Sequence, residues 1–224
     1  NWVCPLLMLP LSAYMHATKS THVIKDDGPI ASYLQTIHFP KGISSSASLE
    51  QFSRYKKNYI PIGVLERERM VERDRLESLF AQLVFETLKA TQGTFSAIHY
   101  PISELVGNIF DHSKRDEGFI MAQFYPTKNY LDICIVDSGR GLSMAYLEEK
   151  GLKFTDEEAI AEAMIGHSTK IDKDRGYGVR TSKRMVCEGL NGGFILLSGS
   201  AALISARKEE RLVSLPSFHW QGVI

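Results

Sequence analysis

ISELVGNIFDHS, residues 102–113, and IVDSGRGLS, residues 135–143, decide how this chain is read. An α-helix turns about 100° per residue, so offsets of four and three bring Glu104, Asn108 and Asp111 within roughly 60° of one another. Ile102, Leu105, Val106, Ile109 and Phe110 fall on the other side, where a helix meets its core. The helix is expected to pack one way and to offer carboxylate, amide and carboxylate the other way.

Working outward, GFIMAQFY (118–125) and YLDICIVD (130–137) read as two strands joined by the turn residues Pro126 to Asn129, a hairpin. Upstream, LERERMVERDRLESLFAQLVFETLKA (65–90) reads as a helix whose alternating Glu and Arg pair along a solvated first half. A coiled-coil homodimer is the sharper alternative there, but the apolar heptad is too short to favour it. Downstream, a polar and helical stretch, 143–175, leads to RGYGVRTSKRMVCEGL (175–190), where two glycines open an apolar-periodic helix. GGFILLSG, ALISARK, RLVSL and WQGVI then read as strands continuing the same sheet. The expected fold is α+β, a two-layer α/β sandwich with helices on one face of a mixed, mostly antiparallel sheet.

Residues 1–60 read as a small α/β element. In it WVCPLLMLPLSAYM (2–15) is taken as buried strand or turn, too short and too proline-broken to cross a bilayer, and PIASYLQTIHF (29–39) as a helix. KGISSSASLEQ (41–51) reads as a loop at the boundary with a domain spanning 65–224.

Composition narrows the function classes. Lys plus Arg balance Asp plus Glu at 26 each, leaving no basic field to hold nucleic acid or an anionic membrane. Cys4, Cys134 and Cys187 are odd in number and have no CxxC spacing, which suits reduced thiols in a cytoplasmic protein and argues against zinc.

Several residues carry chemistry. Asp137 ends a strand and precedes Ser138-Gly139-Arg140-Gly141; a carboxylate there accepts a hydrogen bond from the exocyclic amine of a base, and glycines let backbone approach a flat ring. Taken alone it is a common turn aspartate. Gly176 and Gly178 precede a helix whose first amides and dipole suit phosphate oxygens, with Arg175, Arg180 and Lys183 adding charge. Neither a full dinucleotide fingerprint nor the G-x-x-x-x-G-K-[ST] phosphate loop occurs. Asn108 offers an oxygen suited to Mg²⁺, and Glu104, one turn earlier, is placed to deprotonate a water or a protein hydroxyl. A calcium loop at DKDRG (172–176) is excluded because Lys183 stands where its bidentate glutamate belongs.

The order ExxxN, then DxGxG after a strand, a long variable stretch, then GxG opening a helix, resembles the GHKL ATPases: gyrase, the heat-shock-90 chaperones, histidine kinases and the mismatch-repair ATPase. The resemblance covers about residues 76–224. It implies a Bergerat-type fold in which Asn108 coordinates Mg²⁺, Asp137 reads the adenine amine, and Gly139, Gly141 and Leu142 line the base pocket. It further implies that Lys170, Arg175, Gly176 and Gly178 meet ATP beneath a lid formed by 143–175. Asp111 resembles an added polar pocket position, and Glu104 matches the catalytic glutamate of members that hydrolyse ATP or phosphorylate serine. The second glycine box, GYGVRTS, is shorter than the kinase form, and GSA (199–201) or QGV (221–223) stands where a threonine-bearing strand is expected.

None of the seven histidines has the context of a phosphoacceptor, which argues against a complete histidine kinase. His112 and His167 read as pocket-edge and lid residues. The N-terminal element before a stand-alone module resembles bacterial regulators that pair an anti-sigma-type serine kinase with an antagonist-like element. The expected function is an ATP–Mg²⁺ regulatory protein kinase or slow ATPase acting on a protein partner. The alternative is an ATP-gated interaction switch without turnover. A structural protein with a dead pocket is a third reading, against which the intact Glu104, Asn108 and Asp137 argue.

Overall fold

The computed structural model of the chain describes residues 3–23, 28–53, 58–166, 178–207 and 209–224. Within them the backbone is a mixture of helices and two antiparallel sheets, compatible with an α/β sandwich. It divides into two compact units, Asn1–Thr91 with Asp116–Val136, and Gln92–Arg115 with Asp137–Ile224. The N-terminal 60 residues therefore share a unit with the hairpin, and the helix of Glu104 shares one with the C-terminal strands.

The first unit begins with α1 (Pro5–Thr18), which corrects the expectation of strand or turn for the apolar opening. Pro5 sits in the first turn, where its missing N–H costs nothing. Met8, Leu9, Ala13 and Met15 are buried while Leu7, Leu11 and Tyr14 are exposed, so apolar residues on both sides mask the helical period. The helix α2 (Pro29–Thr36) is where the sequence placed one. The serine-rich stretch expected as a loop holds α3 (Ser46–Ser53), whose first amide donates to the Glu72 carboxylate at 2.5 Å. That cap comes from another helix and leaves no local mark in the sequence.

The strand β1 (Tyr59–Glu66) takes up Leu65 and Glu66, so the charged helix starts later than expected, as α4 (Met70–Thr87). It joins β2 (Glu117–Tyr125) and β3 (Tyr130–Val136), the expected hairpin, in an antiparallel sheet of order β1-β2-β3. Hairpin register runs from Phe119 opposite Val136 to Tyr125 opposite Tyr130. Pro61, which has no N–H, lies inside the register shift between Ile60 and Gly63. The outer edge of β1 is met by Ile43, whose amide donates to the Ile62 carbonyl at 2.8 Å.

Helices cover both faces of this sheet, contrary to the one-faced layer expected. His16 of α1 stacks edge-on against Phe119, whereas Leu76 of α4 lies against Gly63, the cross-strand partner of Ile120. Successive strand residues point to opposite faces, so Phe119 and Ile120 mark two sides. Burial on both explains why IPIGVL shows no alternation and did not read as a strand.

The second unit contains α5 (Phe95–His112), α6 (Gly141–Lys150), α7 (Asp156–Ile165) and α8 (Gly178–Arg184), the last continued by a π-helical turn, Met185–Gly189. Its strands are β4 (Gly193–Gly199), β5 (Ala201–Ala206), β6 (Glu209–Ser214) and β7 (Trp220–Val223), ordered β6-β5-β4-β7 and antiparallel throughout. The described strands thus fall into two sheets instead of one mixed sheet. Phe194, Leu196, Ala201 and Leu203 point inward onto Ile160 of α7, Val179 of α8 and Leu105 of α5, while Ile195 and Ile204 point outward and are exposed. Here the one-faced layer holds.

Leu76 is fully buried where α4 meets β1, so Leu76→Ala is expected to cost about 2–5 kcal/mol of unfolding free energy in urea denaturation. A cost below about 1 kcal/mol would mean that α4 does not complete this core.

Candidate functional site

Glu104, Asn108, Asp137, Gly139, Gly141, Leu142 and Gly178 belong to the second unit. On α5, Ile102, Val106, Ile109 and Phe110 are buried as the helical period requires. Leu105 is half-buried against the cluster of Ile160 and Phe194. Glu104 and Asn108 are half-buried on the other side, and Asp111 is exposed.

Gly178 opens α8 against Glu104: a Cβ added there would overlap the Glu104 carboxylate. A side chain at residue 178 would therefore displace the Glu104 carboxylate from its place against α8. Tyr100, one turn before Glu104, has its hydroxyl pushed up in pKa, first by burial and then by the charge and hydrogen bond of Glu104. The carboxylate thus lies between a hydroxyl donor and the first turn of α8.

Asp137 is 4% exposed. Its Oδ1 accepts the Gly139 amide at 2.7 Å, and its own amide donates to the Val223 carbonyl of β7 at 3.0 Å. Burial raises its pKa from the ordinary 3.8 to about 7, partly offset by the amides of Gly139 and Val223 and by the charge of Arg115. The loop after it is held from several sides. A Cβ on Gly139 would collide with Ser113, and a Cβ on Gly222 with the Asp137 carbonyl. Gly141 has φ +72, a left-handed conformation that disfavours a side chain. Ser198 is buried, and its hydroxyl donates to the Gly222 carbonyl and accepts the Leu142 amide, both at 3.0 Å.

Arg140 fastens the loop to the end of α5. Its guanidinium, 9% exposed, donates to the His112 carbonyl at 2.6 Å and pairs with Glu148 at 2.7 Å and with Glu149. Lys114 and Arg140 hold the Glu148 carboxyl below the usual carboxylate range. Arg115 donates through Nε to the Ser138 carbonyl at 2.9 Å. These cations are engaged in fixing the loop.

Of the two strand candidates, QGV is the one whose backbone adjoins Asp137, through Val223 and Gly222. GSA forms the β4–β5 turn, where Asp156 accepts the Ser200 amide at 2.8 Å and lies over Gly199, φ +62. Lys183, expected to add charge near the second glycine box, pairs with Glu210. Lys170, Arg175, Gly176, His167 and the DKDRG stretch lie outside the described residues. Among the described residues no three His, Cys, Asp or Glu side chains converge as a metal cage.

Ser113 and Ser198 were not legible as site residues, whereas Gly222 lay within the QGV candidate. Ser198 had one signal, a serine in the inward positions of β4 otherwise held by Phe194 and Leu196.

Because Asp137 has a higher pKa folded than unfolded, its contribution to stability is fully present below about pH 4 and is lost as pH rises to about 7. The unfolding free energy of the wild type minus that of Asp137→Asn is therefore expected to fall across that window and to be flat above pH 8. Denaturant titrations of both proteins at four pH values measure it; a difference independent of pH would show that the carboxyl is solvated.

No protein-family model matches the chain, and neither a curated protein nor a solved structure matches it.

Proposed function

We propose that the second unit is an ATP–Mg²⁺ site of the Bergerat type and that the protein is a regulatory protein kinase or slow ATPase of bacterial signalling. The observations that carry this reading lie within one compact unit. A buried carboxylate, Asp137, stands behind a glycine turn that admits no side chains, and a second carboxylate, Glu104, lies over the glycine that starts α8.

In this reading Asp137 accepts the amine of the adenine while ionised, and the Gly139 amide holds the carboxylate in place. Gly141 and Leu142 form the wall against the ring, positioned by Ser198. Asn108 holds Mg²⁺, which supplies charge neutralisation of the phosphates when bound. Glu104 takes the proton from the attacking water or from a hydroxyl of the protein substrate, with Tyr100 fixing its orientation. A switch that binds ATP without turnover is the second reading, and the intact Glu104 favours the enzyme over it.

Calorimetric titration of ATP into the chain, with and without Mg²⁺, tests the proposal, followed by ADP release in the same samples. Asp137→Ala is expected to weaken binding by about 1–3 kcal/mol. Asn108→Ala is expected to remove the Mg²⁺ dependence, and Glu104→Gln to stop ADP release while binding persists. Since the free carboxyl is protonated below about pH 7 and the amine needs the carboxylate, affinity is expected to rise from pH 6 to pH 8. Binding without release selects the switch, and absence of binding in the wild type rejects both.

A further inference from the structure

His16, on the last turn of α1, sits 23% exposed between two acceptors. Its Nε2 is 3.1 Å from the Pro40 carbonyl, which also accepts the Ser12 hydroxyl at 2.6 Å. Its Nδ1 is 3.1 Å from Oε2 of Glu117 on β2. The ring stands edge-on to Phe119 with centroids 4.9 Å apart, which fixes its plane.

Proton counting follows from these contacts. A carbonyl has no proton to give, so the hydrogen toward Pro40 is on Nε2. A neutral imidazole carries one N–H, which leaves a lone pair on Nδ1 facing the lone pairs of Glu117. The contact with Glu117 is a hydrogen bond only if one further proton lies between the two groups, on Nδ1 or on the carboxyl.

We infer that His16 and Glu117 share this proton and that the seating of α1 on the first sheet depends on it. Other charged groups stand around the pair. Glu66, directly opposite Glu117 in the β1–β2 register, adds a second carboxylate, and its partner Arg69 lies 2.9 Å from it. Arg67 and Asp116 pair at 3.5 Å beside the strand ends, and Lys41 follows Pro40. Between Pro5 and Thr18 the helix carries no other charged side chain, so no second ion pair on α1 takes over. Loss of the proton sets an imidazole lone pair against a carboxylate, and Glu117, 42% exposed, turns to water. The end of α1 then loses its tie to β2, while the packing of Met8, Leu9, Ala13 and Met15 and the bonds of Ser12 and His16 to the Pro40 carbonyl remain.

A double-mutant cycle on the full chain tests this, using His16→Gln, Glu117→Gln and the pair, with unfolding measured at pH 5.5 and pH 9. The expected coupling is about three- to tenfold in the unfolding equilibrium at pH 5.5 and absent at pH 9. Equal coupling at both pH values, or none at either, overturns the inference. Nitrogen-15 NMR of the wild-type imidazole is the check that needs no variant. Two bonded ring protons at pH 5.5 and one at pH 9, with faster amide exchange over the last turn of α1 at the higher pH, are expected. A single ring proton at pH 5.5 with no proton on Glu117 overturns it as well.

Discussion

A carboxylate taken out of water must be met by donors, and that demand at Asp137 organises much of the second unit. Gly139 supplies one amide only because nothing larger than hydrogen fits against Ser113. Gly222 admits the Asp137 backbone only because it too lacks a side chain. Ser198, between the Leu142 amide and the Gly222 carbonyl, links the loop to β7. Hydrogen bonds in such a buried setting are strong when complete and costly when any member is missing, so the loop is specified as a set.

Arg140 shows how the same loop is fixed on its outer side. A guanidinium with several donors in one plane reaches the last carbonyl of α5 and two carboxylates of α6 together, where lysine offers a single point charge. Local order around the candidate site thus rests on an inner layer of backbone amides and an outer layer of ion pairs. The outer layer is more exposed and more easily screened by salt. Of the cations expected near the second glycine box, Lys183 is paired with Glu210 of β6.

The N-terminal helices repeat the lesson in another form. The amide at the start of α3 is capped by Glu72 from α4, and the end of α1 is tied through His16 to β2. In each case a helix end, where backbone groups or side chains lack local partners, is completed by a residue remote in sequence.

Local periodicity sufficed for α5 and for β4, each of which buries one side and leaves the other polar or exposed, while the hairpin of β2 and β3 was marked by its apolar runs and the turn residues Pro126 to Asn129 between them. Glu104 and Asn108 were singled out by their place on the polar side of α5, and Asp137 by the glycines that follow it. Tertiary structure alone decided α1, α3 and β1, whose patterns are blurred by burial on two sides or by a cap from elsewhere. It also decided that the strands form two sheets, and that QGV instead of GSA adjoins Asp137. Strand pairing depends on which edges meet in space, and the polarity of a residue records whether it is buried without recording beside what.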